Sequence, residues 1–504
     1  MSNSLTILTF LPLLGALLVA CVPSRKNALL RAVGIATALA ALAFALGLAV
    51  QYDRAAGGLQ YLEQHAWIPS LHIEYYLAAD GLSLLLFVLS ALITAFALFA
   101  LGDRSTKLGV SLILVLESTL FGTFTALNFI HWFLYYELSL IPAFLLIRMG
   151  GSAKATAAAT QFFIYTLFAG FAMLLGFLAI HQATGTFNLT DLAALAHNAK
   201  LGHALSAAFP SLASHINLLV FGGIFVGLAV KVPVVPFHTW LPEAYTEAPA
   251  PVSMLLTGLL SKMGVYGFLR LLAPLFPGLM HHLQVPLFGF ALVTIIYSAL
   301  AALAQKDLKR IVAYSSINHL GYCLLGLFAV TAALHGSVND RAAALNGVLL
   351  QIFNHGLTAA ALFCFIGFIE RRSDGARGLD DFGGLRDVAP VLAGLMGIAI
   401  FSSLGLPGLN GFAGEFLIFK GAFALAPLPS ALAAIGLFVT AVFLLTMIER
   451  VFTGPLDARW LSFPDLTMGE RFTVAPAIAL MFVLGICPQI LIALFNQTVL
   501  HLLP

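Results

Sequence analysis

The sequence predicts an all-α polytopic membrane protein with about fourteen transmembrane helices. Two observations carry this. Of the 504 residues, 61% are hydrophobic and only 9% are charged, against about 25% charged in an average soluble domain. Apolar stretches of about 20 residues recur along the whole chain, each long enough to cross a hydrocarbon core of roughly 30 Å. No segment between them is long enough for a separate soluble domain. The net charge of +2 says little about partners, there is no basic arm or acidic tail, and the expected surroundings are the lipid bilayer with no nucleic-acid partner.

The spans fall near 5–22, 28–50, 79–101, 108–127, 129–148, 160–181, 216–243, 251–273, 285–304, 309–331, 342–369, 388–422, 430–453 and 472–496. The first has no basic residue before it and is followed by Arg25 and Lys26. A secretory signal peptide has the opposite polarity, so this segment reads as a transmembrane helix with its N-terminus outside. Basic residues test the count, because they concentrate in inside loops. With the N-terminus outside, 17 lysines and arginines fall inside, Arg104, Arg148 and Arg377 among them, and only Arg54, Lys200 and Arg341 fall outside. The other four, Lys231, Lys262, Arg270 and Lys420, lie within spans. Outside loops 52–78 and 182–215 are the longest, and the second holds an amphipathic run, Leu189 to Leu205, suited to lying on the membrane surface. The charged, Gly-rich inside loop from Arg371 to Asp387 reads as a connector. Arg148 and Arg270, near span ends, read as snorkelling side chains.

Two spans are broken. Pro233, Pro236 and Pro242 interrupt the seventh, since each proline removes a backbone donor and clashes with the preceding turn. Gly405, Pro407 and Gly408 interrupt the twelfth. Each break has an ionisable neighbour, Lys231 before the first and Glu415 after the second. Paired interruptions at corresponding places point to a transporter built from inverted repeats. The division that follows is an N-terminal three-helix unit at 1–107, a first five-helix repeat at 108–275 (spans 4–8), a second, inverted one at 284–453 (spans 9–13), and a C-terminal connector with span 14 at 454–504. The ladder Gly405, Gly408, Gly411, Gly414 lacks the Lys-Ser/Thr of a phosphate loop and suits close helix contact instead.

Ionisable groups at membrane depth cost about 2.5–3.5 kcal/mol each on insertion scales and mark ion or proton paths. Lys231 and Lys262 are candidate proton carriers, because a desolvated lysine loads and releases a proton as its surroundings change. Glu137 is the candidate counter-charge, and an ion pair of Glu137 with Lys231 would act as a switch. His319 and His355, on adjacent spans, suit a relay because a neutral imidazole both donates and accepts. His238, inside the first break, is a weaker member of the set, and Glu415 would be the terminal carboxylate. Glu117 is deep but has no evident partner. The cysteines Cys21, Cys323, Cys364 and Cys487 stand singly, with no CxxC pair to hold zinc or an iron–sulfur cluster.

Four segments carry a resemblance to a known family: Lys231 to Ala244, Ala248 to Ser253 with Leu260 to Gly267, Ala313 to Gly321, and Gly411 to Phe416. In these the chain resembles the antiporter-like subunits of respiratory complex I, most of all the subunit M (mitochondrial subunit-4) type, and the likeness runs from the first span to the last. The resemblance implies a proton-translocating membrane subunit of NADH-quinone oxidoreductase in the bacterial inner membrane. It maps proton transfer onto Glu137, Lys231, Lys262, His319, His355 and Glu415. The glutamate at 415 favours the M type, since sister subunits and sodium/proton antiporters typically carry lysine there. It implies no cofactor in this chain, with NADH, FMN, iron–sulfur clusters and quinone held by partner subunits, and other membrane subunits, including sister antiporter-like ones, as neighbours. The surroundings of Glu117 and Glu137 depart from the usual wording. A cation/proton antiporter subunit and an ion-translocating partner of a bicarbonate or CO2 uptake complex remain as alternatives.

Overall fold

The computed structural model describes residues 3–102, 105–333 and 336–503; Arg104 of the basic-residue count lies outside them. The chain begins with α1 (Ser4–Cys21) and α2 (Asn27–Gln51), then a β-hairpin of β1 (Gln60–Ile68) and β2 (Ile73–Ala79), then α3 (Gly81–Leu101). Next come α4 (Lys107–Thr125), α5 (Phe129–Leu138), α6 (Leu140–Arg148), α7 (Ala153–Thr184), α8 (Leu189–His197), α9 (Lys200–Ala208), α10 (Ile216–Lys231) and α11 (Trp240–Glu247). The eighth span combines α12 (Ala250–Leu255), α13 (Ser261–Gly267) and α14 (Ala273–Leu275), joined by π-helical stretches at Leu256–Leu260 and Phe268–Leu272. The short α15 (Pro277–His282) leads into α16 (Gln284–Leu303), α17 (Leu308–Ala332) and α18 (Val338–Arg372). The chain ends with α19 (Pro390–Ser403), α20 (Asn410–Leu425), α21 (Pro427–Phe452), α22 (Met468–Ile486) and α23 (Gln489–Leu502).

The polytopic helical fold is borne out. Among the described residues, twelve helices are long and apolar enough to cross a membrane. The seventh and twelfth expected spans are split into the shorter pairs α10/α11 and α19/α20. Three details differ from expectation. The loop at 52–78 is largely a hairpin, in which Tyr76 O accepts from Leu127 N at 2.8 Å. The amphipathic run at Leu189 to Leu205 is two helices, broken where Ala199 takes φ +56°. The expected span 472–496 is cut at Pro488, which separates α22 from α23 because proline cannot continue the first helix's ladder.

Contacts between helix ends put the basic loops on one face. Lys107 Nζ donates to Ala20 O, Arg31 to Phe99 O and Arg371 to Ala100 O. On the same face the connector is tied to its own chain: Arg377 Nε lies 2.5 Å from Asp307, and Lys309 Nζ lies 2.9 Å from Glu370. At the other face Asp80 caps α3 through Ser83 N and pairs with Arg270 at 2.7 Å, while Arg270 Nε donates to the Tyr266 hydroxyl. Arg270 therefore does not snorkel. The second π-helical stretch carries it, and its side chain and that of Asp80 are 10% and 5% exposed. Removing one partner of a buried pair strands the other charge, at a cost of about 3–5 kcal/mol. Asp80→Ala should therefore lower the thermal midpoint of the purified protein sharply. Asp80→Leu combined with Arg270→Met should recover most of that loss in the same melting assay.

Candidate functional site

The first break is held by a backbone hydrogen bond, by Trp240 and by Thr294 of α16. Beyond α10 the chain turns through Val232 to Thr239, where Val234 N donates to Ala229 O, Trp240 Nε1 to Val230 O and Val235 N to Thr294 Oγ1. The Ala229 and Val230 carbonyls are thereby given partners within the protein, as a break at membrane depth requires. Lys231, the last residue of α10, is 1% exposed, and its ammonium has no hydrogen-bond partner among the described residues. It lies 4.6 Å from the centroid of the Tyr136 ring, a cation–π contact.

Glu137 is not in ion-pair contact with Lys231, contrary to expectation. Successive helical residues point about 100° apart, so with Tyr136 facing Lys231 the next side chain turns toward α7. There both carboxylate oxygens are buried without partners, against Gly170. A Cβ at Gly170 would lie 2.0 Å from Oε1, so only glycine leaves room for the carboxylate. Glu117 is fully buried, and both its oxygens lack partners among the described residues.

In the second half the expected residues come together. The π-helical stretches bracket Lys262, and such stretches recur at functional sites because they take carbonyls off the regular ladder. The Lys262 ammonium donates to one of these carbonyls, Thr257 O, and lies 2.9 Å from His355 Nδ1, which accepts when the lysine is charged. The His355 and His319 rings are 5.2 Å apart between centroids. His319 Nδ1 lies 2.7 Å from Glu415 Oε1, and Nε2 lies 3.2 Å from Ser403 Oγ. With Nδ1–H donating to the carboxylate, Nε2 accepts from the serine hydroxyl. Gln351 Nε2 donates to the same Glu415 oxygen at 3.0 Å. A cavity of about 10 Å³ opens between His355, His319 and Glu415, close to the space one water needs.

The second break makes this cluster possible. Ser402 and Asn410, on either side of it, are hydrogen-bonded at 2.5 Å, and Asn354 Nδ2 donates to Asn410 O at 2.6 Å. Gly405 and Gly408 adopt φ of +82° and +94°, which only glycine takes without strain. Gly411 and Gly414 serve close approach, because a Cβ on them would lie 1.9 Å from Ser402 O and 2.6 Å from Gln351 Oε1.

His238 is not part of this cluster. It meets Tyr297 edge to face and lies tilted near Tyr314 in a separate vestibule of about 610 Å³ on the basic face, with Lys154, Glu243 and Arg310 around it. Sequence reasoning missed Gln351, Asn354 and Thr358. The available signal was their spacing with His355 at i, i+3, i+4 and i+7, a polar stripe on an otherwise apolar helix. Gly170 and Tyr136 gave no signal.

A helical bundle with two satisfied breaks, each beside a buried ionisable group, has the build of an antiporter-like membrane subunit. Residues 126–443 match the family described as NADH:quinone oxidoreductase/Mrp antiporter, TM. The chain is similar to NADH-quinone oxidoreductase subunit M of Rickettsia bellii, with 32% identity covering 90% of this chain and 88% of that one. Identity to subunit M of Rhodobacter capsulatus is 33%, covering 100% and 96%. Among solved structures, a chain of respiratory complex I from Thermus thermophilus with bound NADH superposes with a TM-score of 0.84 at 27% identity, covering 99% of this chain and 100% of that one. A chain of the Mrp complex from Dietzia sp. shares the fold, with a TM-score of 0.82 at 22% identity, covering 100% and 98%. The chain belongs to the NADH:quinone oxidoreductase/Mrp antiporter membrane family, in its subunit M branch.

Gly411 packs directly on the Ser402 carbonyl, so Gly411→Ala should open the second break. Native gel electrophoresis of membranes should then show several-fold less assembled protein.

Proposed function

We propose that this chain is a proton-translocating membrane subunit of an NADH-quinone oxidoreductase and acts as a translocase, while its partners carry out the electron transfer. NADH, FMN, iron–sulfur clusters and quinone belong to those partners. Other membrane subunits, sister antiporter-like ones among them, flank this chain in a bacterial inner membrane, with the N-terminus on the periplasmic side. The two broken helices belong to inverted repeats at 108–275 and 284–453, between the units at 1–107 and 454–504.

The observation that carries the reading is the run Lys262, His355, His319, Glu415, four ionisable groups that make successive contacts inside a bundle otherwise lined with hydrocarbon. A proton on the Lys262 ammonium passes to His355 along their shared hydrogen bond. It crosses the small cavity to His319 and reaches Glu415, which Gln351 holds in place. Each imidazole accepts at one nitrogen and releases at the other, so neither needs to leave its position.

Glu137 and Lys231 form the loading half. The Lys231 ammonium is stabilised by the Tyr136 ring, and Glu137 is the negative charge next to that ring in the chain. A change in either alters how readily Lys231 gives up its proton. Between Lys231 and Lys262 no hydrogen bond forms among the described residues, so water must bridge them during turnover. That makes this gap the gated step. The vestibule around His238 is the entry for protons from the basic face, with His238 as an entrance group outside the central run.

Lys262→Ala should abolish most redox-driven proton uptake in inverted membrane vesicles, with the complex still assembled on native gels. Glu137→Ala and Lys231→Ala should each lower it several-fold. Normal uptake in all three assembled variants would refute the reading.

A further inference from the structure

The face opposite the basic one holds a cavity that the proposed relay does not use. Its volume is about 490 Å³. Leu127 and Leu189 line one side, Leu327 and Val330 of α17 the other, and the exposed His197 and His501 stand at its rim. Along the eighth span its lining runs from Pro277 through Ala273 and Arg270 to Leu269. Lys262 lies eight residues inward of Arg270, roughly 12 Å of helix.

A hydrogen-bonded cluster stands in that interval. Tyr266, one turn outward from Lys262, is fully buried. Its hydroxyl donates to Phe124 O at 3.2 Å and accepts from Arg270 Nε at 3.3 Å. Arg270 Nη2 donates to Asp80 Oδ2 at 2.7 Å, and the other oxygen of Asp80 accepts from Ser83 N at 3.0 Å. Beside the cluster the Phe268 and Phe328 rings meet edge to face, 6.0 Å apart.

The directions of these hydrogen bonds decide what the cluster can do. A proton travels along a chain of hydrogen bonds only through groups that accept on one side and release on the other. A guanidinium has five donors and no acceptor, and it keeps its proton in a protein. The Tyr266 hydroxyl accepts from that guanidinium, and its own proton is committed to a backbone carbonyl, which has none to pass on. The cluster therefore joins the cavity to the surroundings of Lys262 without offering a path between them. Arginine at a constriction excludes protons from other pores by its charge and its donors.

We propose that Arg270, positioned by Asp80 and Tyr266, is the seal that closes the outer cavity off from Lys262. It carries no proton itself. A lysine loaded from the basic face delivers work only if its other side is shut, because an open water file from the cavity would let the gradient run back through it. The inference rests on the proton-translocation reading above and adds to it the place where back-flow is stopped.

The test is passive proton leak in proteoliposomes of the intact complex, with an imposed pH gradient, a pH-sensitive dye inside and no NADH. Two double variants are compared, and both lack the buried ion pair. Asp80→Asn with Arg270→Gln leaves amides, which hold water by accepting as well as donating. Asp80→Leu with Arg270→Met leaves hydrocarbon. The amide variant should dissipate the gradient several-fold faster than the unaltered complex, and adding Lys262→Met should return it to the unaltered rate. The hydrocarbon variant should stay tight. A tight amide variant would overturn the proposal, as would equal leak from both variants or a leak that survives Lys262→Met. Thiol accessibility decides the matter even where a double variant does not assemble. Ala273→Cys lies in the cavity and Met263→Cys beyond the seal. A membrane-impermeant thiol reagent added from the outer side should modify the first and spare the second, read by mass spectrometry of the peptides. Modification of Met263→Cys, or protection of Ala273→Cys, would overturn the seal. Normal redox-driven uptake with Lys262→Ala would instead sink the relay reading, so the two failures are told apart.

Discussion

The hydrogen bond between His319 and Glu415 depends on a backbone break, and most of the bundle's polar architecture is arranged to make such breaks tolerable. An unbroken twelfth span would place the Glu415 carboxylate against a neighbouring helix. Interrupting it after Ser403 lets α20 begin beside α18, with Asn410 and Asn354 trading hydrogen bonds across the contact. The Asn410 and Asn354 side chains each bond the other's backbone carbonyl, and Ser402 bonds the Asn410 side chain. In hydrocarbon a broken helix persists only where protein or enclosed water meets its open ends.

The two halves use the same device to different ends. The first break leaves Lys231 without a hydrogen-bond partner among the described residues, held by an aromatic face. The second delivers Glu415 into a closed set of contacts. A group with few partners changes its proton affinity readily when its neighbours shift. A group in a hydrogen-bonded set keeps its geometry while the proton moves. In the proposed relay one half is suited to switching and the other to conduction.

Much of this was legible in the sequence, and the reasons differ by level. Spans were legible because twenty apolar residues admit few other readings, and the breaks because Pro233 with Pro236, and Gly405 with Pro407, cannot continue a helix. The ionisable residues stood out against hydrocarbon. Pairings were less legible. Glu137 and Lys231 suggested a bond, but the 100° turn between Tyr136 and Glu137 gives the lysine to the ring. Arg270 looked like a span-end snorkel because nothing marks Asp80, 190 positions earlier in the chain, as its partner. Gly170 makes room for a carboxylate from another helix, and a glycine in an apolar helix carries no sign of what it faces. The hairpin was missed because its first strand is mostly polar and exposed while its second runs straight into the third span, and the cut at Pro488 because the proline falls in a continuous apolar run.

The most direct test of the continuous relay is the ratio of protons moved per NADH oxidised, measured in proteoliposomes that contain the purified complex with Glu415→Gln. Glutamine keeps the size of the side chain and can still bond to Gln351 and His319, but it cannot take up a proton. The account predicts a lower ratio with quinone reduction still supported and the complex intact. An unchanged ratio in an assembled, active complex would contradict it.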